Sequence, residues 1–304
     1  MKKKIRFAAI DVGSFNCRLT IVEKNDIGTK IVLNFSRETN LIKQIAYSNE
    51  FNYEKISKTL DCLIEISKRI NNFNVQSYRC VATEACRQVI NPEYFLDQVK
   101  KKTGLIVEII SAIEESKLSF IGCSIYHNKI KNLGLIFDIG GGSTEITYFN
   151  KKDNIMISKS ISFGVINLSE KINLFGIEYI NKKFNSFFSD LKKQISPQFD
   201  DYFVIGSCST VTTIFAVEKK LKYYTPKKIE GKILSLKSIF DTCNYVNKLK
   251  MNEKKNNPCI GKNYLLLDNG IVILKKIFDS IPVKKVLATH YGLRQGLINQ
   301  HFYQ

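Results

Sequence analysis

Two short segments of this chain place an acid and glycines where an apolar run ends. Leu133 to Phe137 leads into Asp138-Ile139-Gly140-Gly141-Gly142-Ser143-Thr144-Glu145, and Phe7 to Ile10 leads into Asp11-Val12-Gly13-Ser14. An apolar run closed by turn residues predicts a buried strand, which would deliver each Asp to its end. Glycines lack Cβ, so their backbone amides can approach an anion closely. Amides beside carboxylates suit a phosphate chain held with a metal ion on the two Asp residues. Either loop alone also reads as a plain hairpin turn, with Ser143 and Thr144 opening the next strand. Recurrence of strand, acid and glycine in both halves favours a duplicated architecture with a cleft between the halves.

Further segments could bring chemistry to the same strand ends. Val81-Ala82-Thr83-Glu84-Ala85-Cys86-Arg87 and Ile109-Ile110-Ser111-Ala112-Ile113-Glu114-Glu115 each follow an expected strand, at the edge where open α/β sheets bind ligands. The planar fork of Arg87 can clamp phosphate oxygens, or it can pair with Glu84 three residues earlier; local sequence leaves both open. Glu114 and Glu115 suit a helix start, and one carboxylate could take a proton from water attacking a phosphoanhydride. Consecutive helical positions point about 100° apart, so at most one of the two would face the phosphate. Ile205-Gly206-Ser207-Cys208-Ser209-Thr210 runs from strand into helix and offers free amides to an anion, unless Ser209 merely caps the helix. Gly292-Leu293-Arg294-Gln295-Gly296 adds one basic side chain on a closing helix.

Composition narrows the class. At 304 residues, 44% hydrophobic and 11% aromatic, the chain has the length of two folded domains and is too apolar for disorder. Its eight cysteines form no CxxC pair and its three histidines are scattered, which argues against zinc and for reduced core thiols. Lys2 to Lys4 precede an apolar run too short for a secretory signal, and Tyr264 to Phe278 is broken by Asp268, Asn269 and Lys275. No membrane span is expected, and the cytoplasm is the default compartment. A net charge of +18 favours polyanionic partners, but the lysines are dispersed in pairs and no aromatic-interleaved basic block appears. Nothing beyond that charge points to nucleic acid. The sequence does not fix the oligomeric state and is compatible with a homodimer.

Periodicity predicts the elements that must position these residues. Strands are expected at 5–10, 17–23, 30–35, 77–81 and 105–110, with helices at 53–70, from Asn91-Pro92-Glu93 onward, and at 113–125. Ile56, Leu60, Leu63, Ile64 and Ser67 form the apolar stripe of the helix at 53–70. The pattern restarts with strands at 135–137, 145–150, 155–161, 202–205 and 285–288, and helices at 178–194, 209–221, 236–248, 264–278 and 292–301. The polar, periodless stretch 126–132 reads as the boundary, giving domains 1–127 and 128–304.

In order, the segments 8–21, 81–88, 108–118, 137–146, 206–213 and 291–296 resemble the exopolyphosphatase/guanosine pentaphosphate phosphatase family of the actin-like, sugar kinase and Hsp70 ATPase superfamily. The resemblance implies an α/β fold of two actin-like (ribonuclease H-like) domains with an interdomain cleft. It also implies metal-assisted release of the terminal phosphate from inorganic polyphosphate or guanosine pentaphosphate. The family's catalytic glutamate falls on Glu115 and its phosphate-binding arginine on Arg87. Its loop positions fall on Asp11, Gly13, Ser14 and Arg18, and on Asp138, Gly140, Ser143 and Glu145. Gly141, Thr144, Ser209, Thr210 and Arg294 complete the expected phosphate contacts, and Mg2+ is expected on Asp11, Asp138 and Glu145. Phe15 stands where members have Asn, Ala112 and Ser209 replace Gly, Lys117 replaces Arg, and Gln295 replaces Glu. These departures spare the expected base and both Asp residues. The resemblance stops short of the additional helical domain of longer members, so processivity on long chains is not expected from it. Alternatives are an actin-fold ATPase or kinase, and a non-catalytic guanosine tetra- or pentaphosphate-binding protein.

Overall fold

The computed structural model describes residues 4–26, 28–130, 132–198 and 202–303. It divides into two compact units, Met1–Gly122 with Leu293–Gln304, and Cys123–Gly292. This differs from a division at 127/128 running to the C-terminus, because helix Leu293–Tyr303 packs on helix Ala112–Gly122 and on the first strand. The stretch read as a periodless linker holds a 3-10 helix, Ser124–Lys129, with Tyr126 buried; Lys131, like Lys2 and Lys3, lies outside the described residues.

In the first unit β1 (Ile5–Val12), β2 (Asn16–Asn25), β3 (Gly28–Glu38), β4 (Ser77–Ala82) and β5 (Val107–Ile109) form one sheet in the order β3-β2-β1-β4-β5. The first three strands pair antiparallel, while β4 and β5 add in parallel. Phe7 to Val12 are all buried, as expected of a central strand covered on both faces, whereas edge strand β3 alternates and exposes lysine. Phe7, Ala9, Val81, Leu118, Leu297 and Ile298 form a core between sheet and helices. Helix Tyr53–Asn72 is capped by Asn52, whose side chain accepts from the amides of Glu54 and Lys55. It buries Ile56, Leu60 and Leu63 as the stripe predicts, but Thr59, Cys62, Ile66 and Ile70 complete its buried face in place of Ile64 and Ser67.

The second unit repeats the plan. β6 (Leu133–Ile139), β7 (Thr144–Asn150), β8 (Ile155–Ile161), β9 (Tyr202–Gly206), β10 (Lys232–Ser235) and β11 (Lys285–Ala288) order as β10-β11-β9-β6-β7-β8. Read from β8, the first five strands reproduce the order and directions of the first sheet, and β10 adds an antiparallel edge. This is the actin-like α/β architecture, present twice. Its core gathers Phe137, Val204, Val211, Ile214, Ile271 and Leu274 from sheet and helices Ser209–Glu218 and Tyr264–Ser280.

Several short elements were not legible in the periodicity: helices Glu84–Gln88 and Asn167–Phe175, and strand β10. All eight cysteines are free and buried, matching the expected core thiols. Among the described residues no helix is long and apolar enough to cross a membrane.

Candidate functional site

The two acid–glycine loops are built alike. In each hairpin the Asp sits one residue before the end of its strand. Asp11 lies directly opposite Arg18, and Asp138 directly opposite Glu145. The amide of Gly13 donates to the Asn16 carbonyl at 3.0 Å, and that of Gly140 donates to the Ser143 carbonyl at 2.9 Å. A Cβ on Gly13 would fall 2.9 Å from the Asn16 oxygen, and one on Gly140 3.2 Å from the Ser143 oxygen, so both turns favour glycine.

The chain after the third strand of each unit then folds back onto its hairpin loop. In the first unit the Phe15 carbonyl accepts from the amides of Thr39 and Asn40, and the Ser14 carbonyl from that of Ile42. In the second, the Gly140 and Gly141 carbonyls accept from the amides of Val165 and Ile166, and the Gly142 carbonyl from Asn167 Nδ2 at 2.8 Å. Gly164 makes this approach feasible: a Cβ there would lie 2.4 Å from the backbone of Gly141 and Gly142. With its carbonyls engaged, the second loop keeps the amides of Gly141 and Gly142, for which no acceptor occurs among the described residues. Gly164 and the fully buried Asn167 were missed by sequence reasoning. The usable signal was a glycine just past a strand with Asn three residues on.

In the first unit Asp11 is only 7% exposed, and burial pushes its carboxyl up against the opposing charges of Arg18 and Arg294. Arg18 Nη1 stands 4.0 Å from Asp11 Oδ2, and Arg294 Nη1 donates to Thr20 Oγ1 at 2.7 Å. Burial, then the like charge of Arg18, lowers Arg294 to about 10. Two guanidinium groups about one carboxyl leave an excess of positive charge suited to an anion. Ser14 Oγ is buried with no hydrogen-bond partner among the described residues, an orphan that a phosphate oxygen would satisfy.

Arg87 forms the pair with Glu84 that its sequence context allows. Its Nε and Nη2 donate to Glu84 Oε2 at 3.0 and 2.8 Å, Nη1 donates to the Ile110 carbonyl, and Nη2 lies 2.9 Å from Glu115 Oε2. Most of its fork therefore meets protein acceptors, with Glu115 among them. Glu114 turns outward to Arg79 at 2.6 Å. The pair of acids splits as helical geometry requires.

In the second unit burial and the charge of Asp138 raise both neighbouring thiols, Cys123 and Cys208, the latter to about 12. Glu145 accepts from Ser160 Oγ at 2.8 Å. Ser209 opens its helix exposed, but the cap position is Cys208, which makes no side-chain cap bond, so Ser209 is not the cap considered from the sequence. Thr144 Oγ1 donates to the Phe163 carbonyl at 2.7 Å, and Thr210 packs on helix Tyr264–Ser280, where a Cβ on Gly270 would lie 2.3 Å from its Oγ1.

The donor set is compatible with Mg2+. Asp138 and Glu145 are cross-strand neighbours on one face of the second sheet, both oxygen donors. Among the described residues no group of three or more His, Cys, Asp or Glu gathers to hold a metal. Mg2+ commonly takes one or two carboxylates together with phosphate oxygens and waters, which is what such sparse donors provide.

A family model described as the Ppx/GppA phosphatase family matches residues 20–303. The chain is 30% identical to a bifunctional 3-dehydroquinate synthase/phosphatase of Fusobacterium nucleatum, over 96% of this chain and 46% of that protein. It is 22% identical to a guanosine-5'-triphosphate,3'-diphosphate pyrophosphatase of Photobacterium profundum, over 96% of this chain and 58% of that protein. It therefore spans about half the length of these curated relatives. The crystal structure of the Aquifex aeolicus Ppx/GppA family member is similar with a TM-score of 0.78 and 28% identity, covering 98% of both chains.

Proposed function

This chain belongs to the Ppx/GppA phosphatase family, and we propose that it is a phosphoanhydride hydrolase releasing the terminal phosphate of inorganic polyphosphate or guanosine pentaphosphate. One observation carries the reading. Both units build the same hairpin, with an acid at the strand end, a glycine amide bonded three residues on, and loop carbonyls tied off by the segment that follows the third strand. That arrangement spends acceptors and keeps donors, as an anion site requires.

Glu115 orients the attacking water and takes its proton, and Arg87 holds that carboxylate in place from the side of Glu84 and Ile110. Ser14 Oγ, Arg18 and Arg294 receive phosphate oxygens in the first unit. In the second, the amides of Gly141 and Gly142 and the open helix start at Ser209 do so. Asp138 with Glu145 in the second unit, and Asp11 in the first, are the carboxylates each unit would offer to Mg2+, which would offset the charge of the phosphates. Donors fixed before the reaction stabilise charge on the transferred group without reorganising.

The test is phosphate release measured side by side on short polyphosphate, long polyphosphate and guanosine pentaphosphate, with and without Mg2+. Glu115→Gln is expected to lower the rate by a factor of about 10² to 10⁴, the usual cost of losing a general base. Release at the parental rate would remove Glu115 from that role. Tight nucleotide binding by a parent protein that releases no phosphate would replace the hydrolase with a binding protein.

A further inference from the structure

We propose that the lysine-rich segment 219–232 is a binding rim for the phosphates of a condensed-phosphate substrate that lie beyond the one removed. This rests on the hydrolase reading above and extends it to the distal part of the substrate. Six lysines fall in these fourteen residues, Lys219, Lys220, Lys222, Lys227, Lys228 and Lys232, against the single acid Glu230. Lysines also gather at Lys100–Lys102 and at Lys248, Lys250, Lys254 and Lys255, but no other fourteen-residue stretch holds six.

Its position gives the density meaning. Backbone register draws one line across the second sheet: Lys232 lies opposite Ala288, Ala288 opposite Gly206, and Gly206 opposite Phe137, the residue before Asp138. The segment therefore borders the strand ends that carry the glycine loop and the Ser207-Cys208-Ser209 turn, where α/β sheets bind ligands.

Internal bonds fasten it there. Tyr224 Oη donates to Thr212 Oγ1 at 2.8 Å, within the first turns of the helix that starts at Ser209, and meets His290 Nε2 at 2.7 Å. Glu230 accepts from the His290 amide and lies 2.9 Å from His290 Nδ1, and it also accepts from Thr289 Oγ1 and Tyr126 Oη. The Thr289 amide in turn donates to the Gly206 carbonyl at 3.1 Å. Lys227 and Lys228 thus project from a short turn held at both ends against the candidate phosphate loop.

The same bonds leave the lysines unneutralised. Glu230 is occupied by its four donors, and Glu218 pairs with Lys219. Among the described residues no carboxylate approaches the amines of Lys220, Lys222, Lys227, Lys228 or Lys232 within 4.0 Å, and these five residues are exposed. Flexible, hydrated ammonium groups on a fixed frame suit a repeating anion whose phosphates need no single geometry.

The experiment measures equilibrium binding in the Glu115→Gln background, so that turnover does not consume the ligand. Ligands are long polyphosphate, tripolyphosphate, guanosine tetraphosphate and a single-stranded RNA, each titrated across salt. The triple variant Lys222→Ala/Lys227→Ala/Lys228→Ala is expected to bind long polyphosphate at least tenfold more weakly. Its log–log salt slope should be shallower by about 2, on a scale of about 0.7 per phosphate neutralised on a single strand. The pair Lys192→Ala/Lys193→Ala, on another helix, should bind as the background does. Loss confined to polyphosphate assigns the rim to the inorganic chain, and loss confined to guanosine tetraphosphate assigns it to the nucleotide's diphosphate arms. Unchanged polyphosphate and guanosine tetraphosphate binding by the triple variant, equal weakening by the control pair, or a matching loss for RNA would overturn the proposal. The hydrolase reading fails separately: if the parent releases no phosphate while the triple variant still loses affinity, that reading falls and the rim stands.

Discussion

Adjacent residues of one type can have unrelated tasks, and Glu230 shows how partners decide. Burial would raise its carboxyl, but hydrogen bonds from His290, Thr289 and Tyr126 and from the His290 amide outweigh it, holding the group down at about 2 from an ordinary 4.5. A carboxylate whose folded value is lowered adds stability that is complete above its unfolded value and disappears as pH falls through the folded one. Glu230 should therefore stabilise the second unit fully above about pH 4.5 and lose that contribution toward pH 2. Thermal melts of the parent and Glu230→Gln between pH 7 and pH 2 should differ most at neutral pH and converge toward pH 2. A gap that stays constant with pH would show that Glu230 acts by shape alone. Glu114 and Glu115 make the same point at the candidate site: turned apart by the helix, one meets Arg79 and the other Arg87.

At the level of elements, sequence period exposed what is regular and local. The buried runs leading to Asp11 and Asp138, the third strand of each unit and the stripe of helix Tyr53–Asn72 all signal themselves, because burial on one or both faces imposes a period on the residues. Helix Asn167–Phe175 does not, since its nine residues bury only Asn167 and Leu168. Strand β10 is four residues long and pairs on one side only. Engagement of the loop carbonyls was hidden for a different reason: its partners lie more than twenty residues downstream, and no local pattern encodes that return. Gly164 is its sharpest test. An alanine Cβ would lie 2.4 Å from the backbone of Gly141 and Gly142, closer than real contacts allow. Gly164→Ala should cost about 1–3 kcal/mol as overpacking in thermal or denaturant unfolding. It should also weaken phosphate-chain binding at least tenfold by shifting the loop amides. Binding and stability both at parental values would show that the loop does not depend on this contact.

Across the whole chain, the consequential event is the return of the C-terminus to the first unit. Helix Leu293–Tyr303 lies against helix Ala112–Gly122 and β1, and it brings Arg294 to the buried Asp11 from the far end of the sequence. Periodicity identifies such a helix but cannot say which unit it joins, so the sequence alone assigns it to the second. The contact is set by Gly296, where an added Cβ would fall 1.9 Å from the Leu118 carbonyl oxygen. No rotamer relieves a clash between Cβ and backbone, so a larger residue must push the two helices apart. Gly296→Val should destabilise the first unit by an amount at or above the upper end of about 1–3 kcal/mol. Hydrogen exchange should then show β1 and helix Ala112–Gly122 opening before β6 and β9, which belong to the other unit. Equal acceleration in both sets of strands would mean that the units unfold together, and that the C-terminal helix is not the specific support of the first.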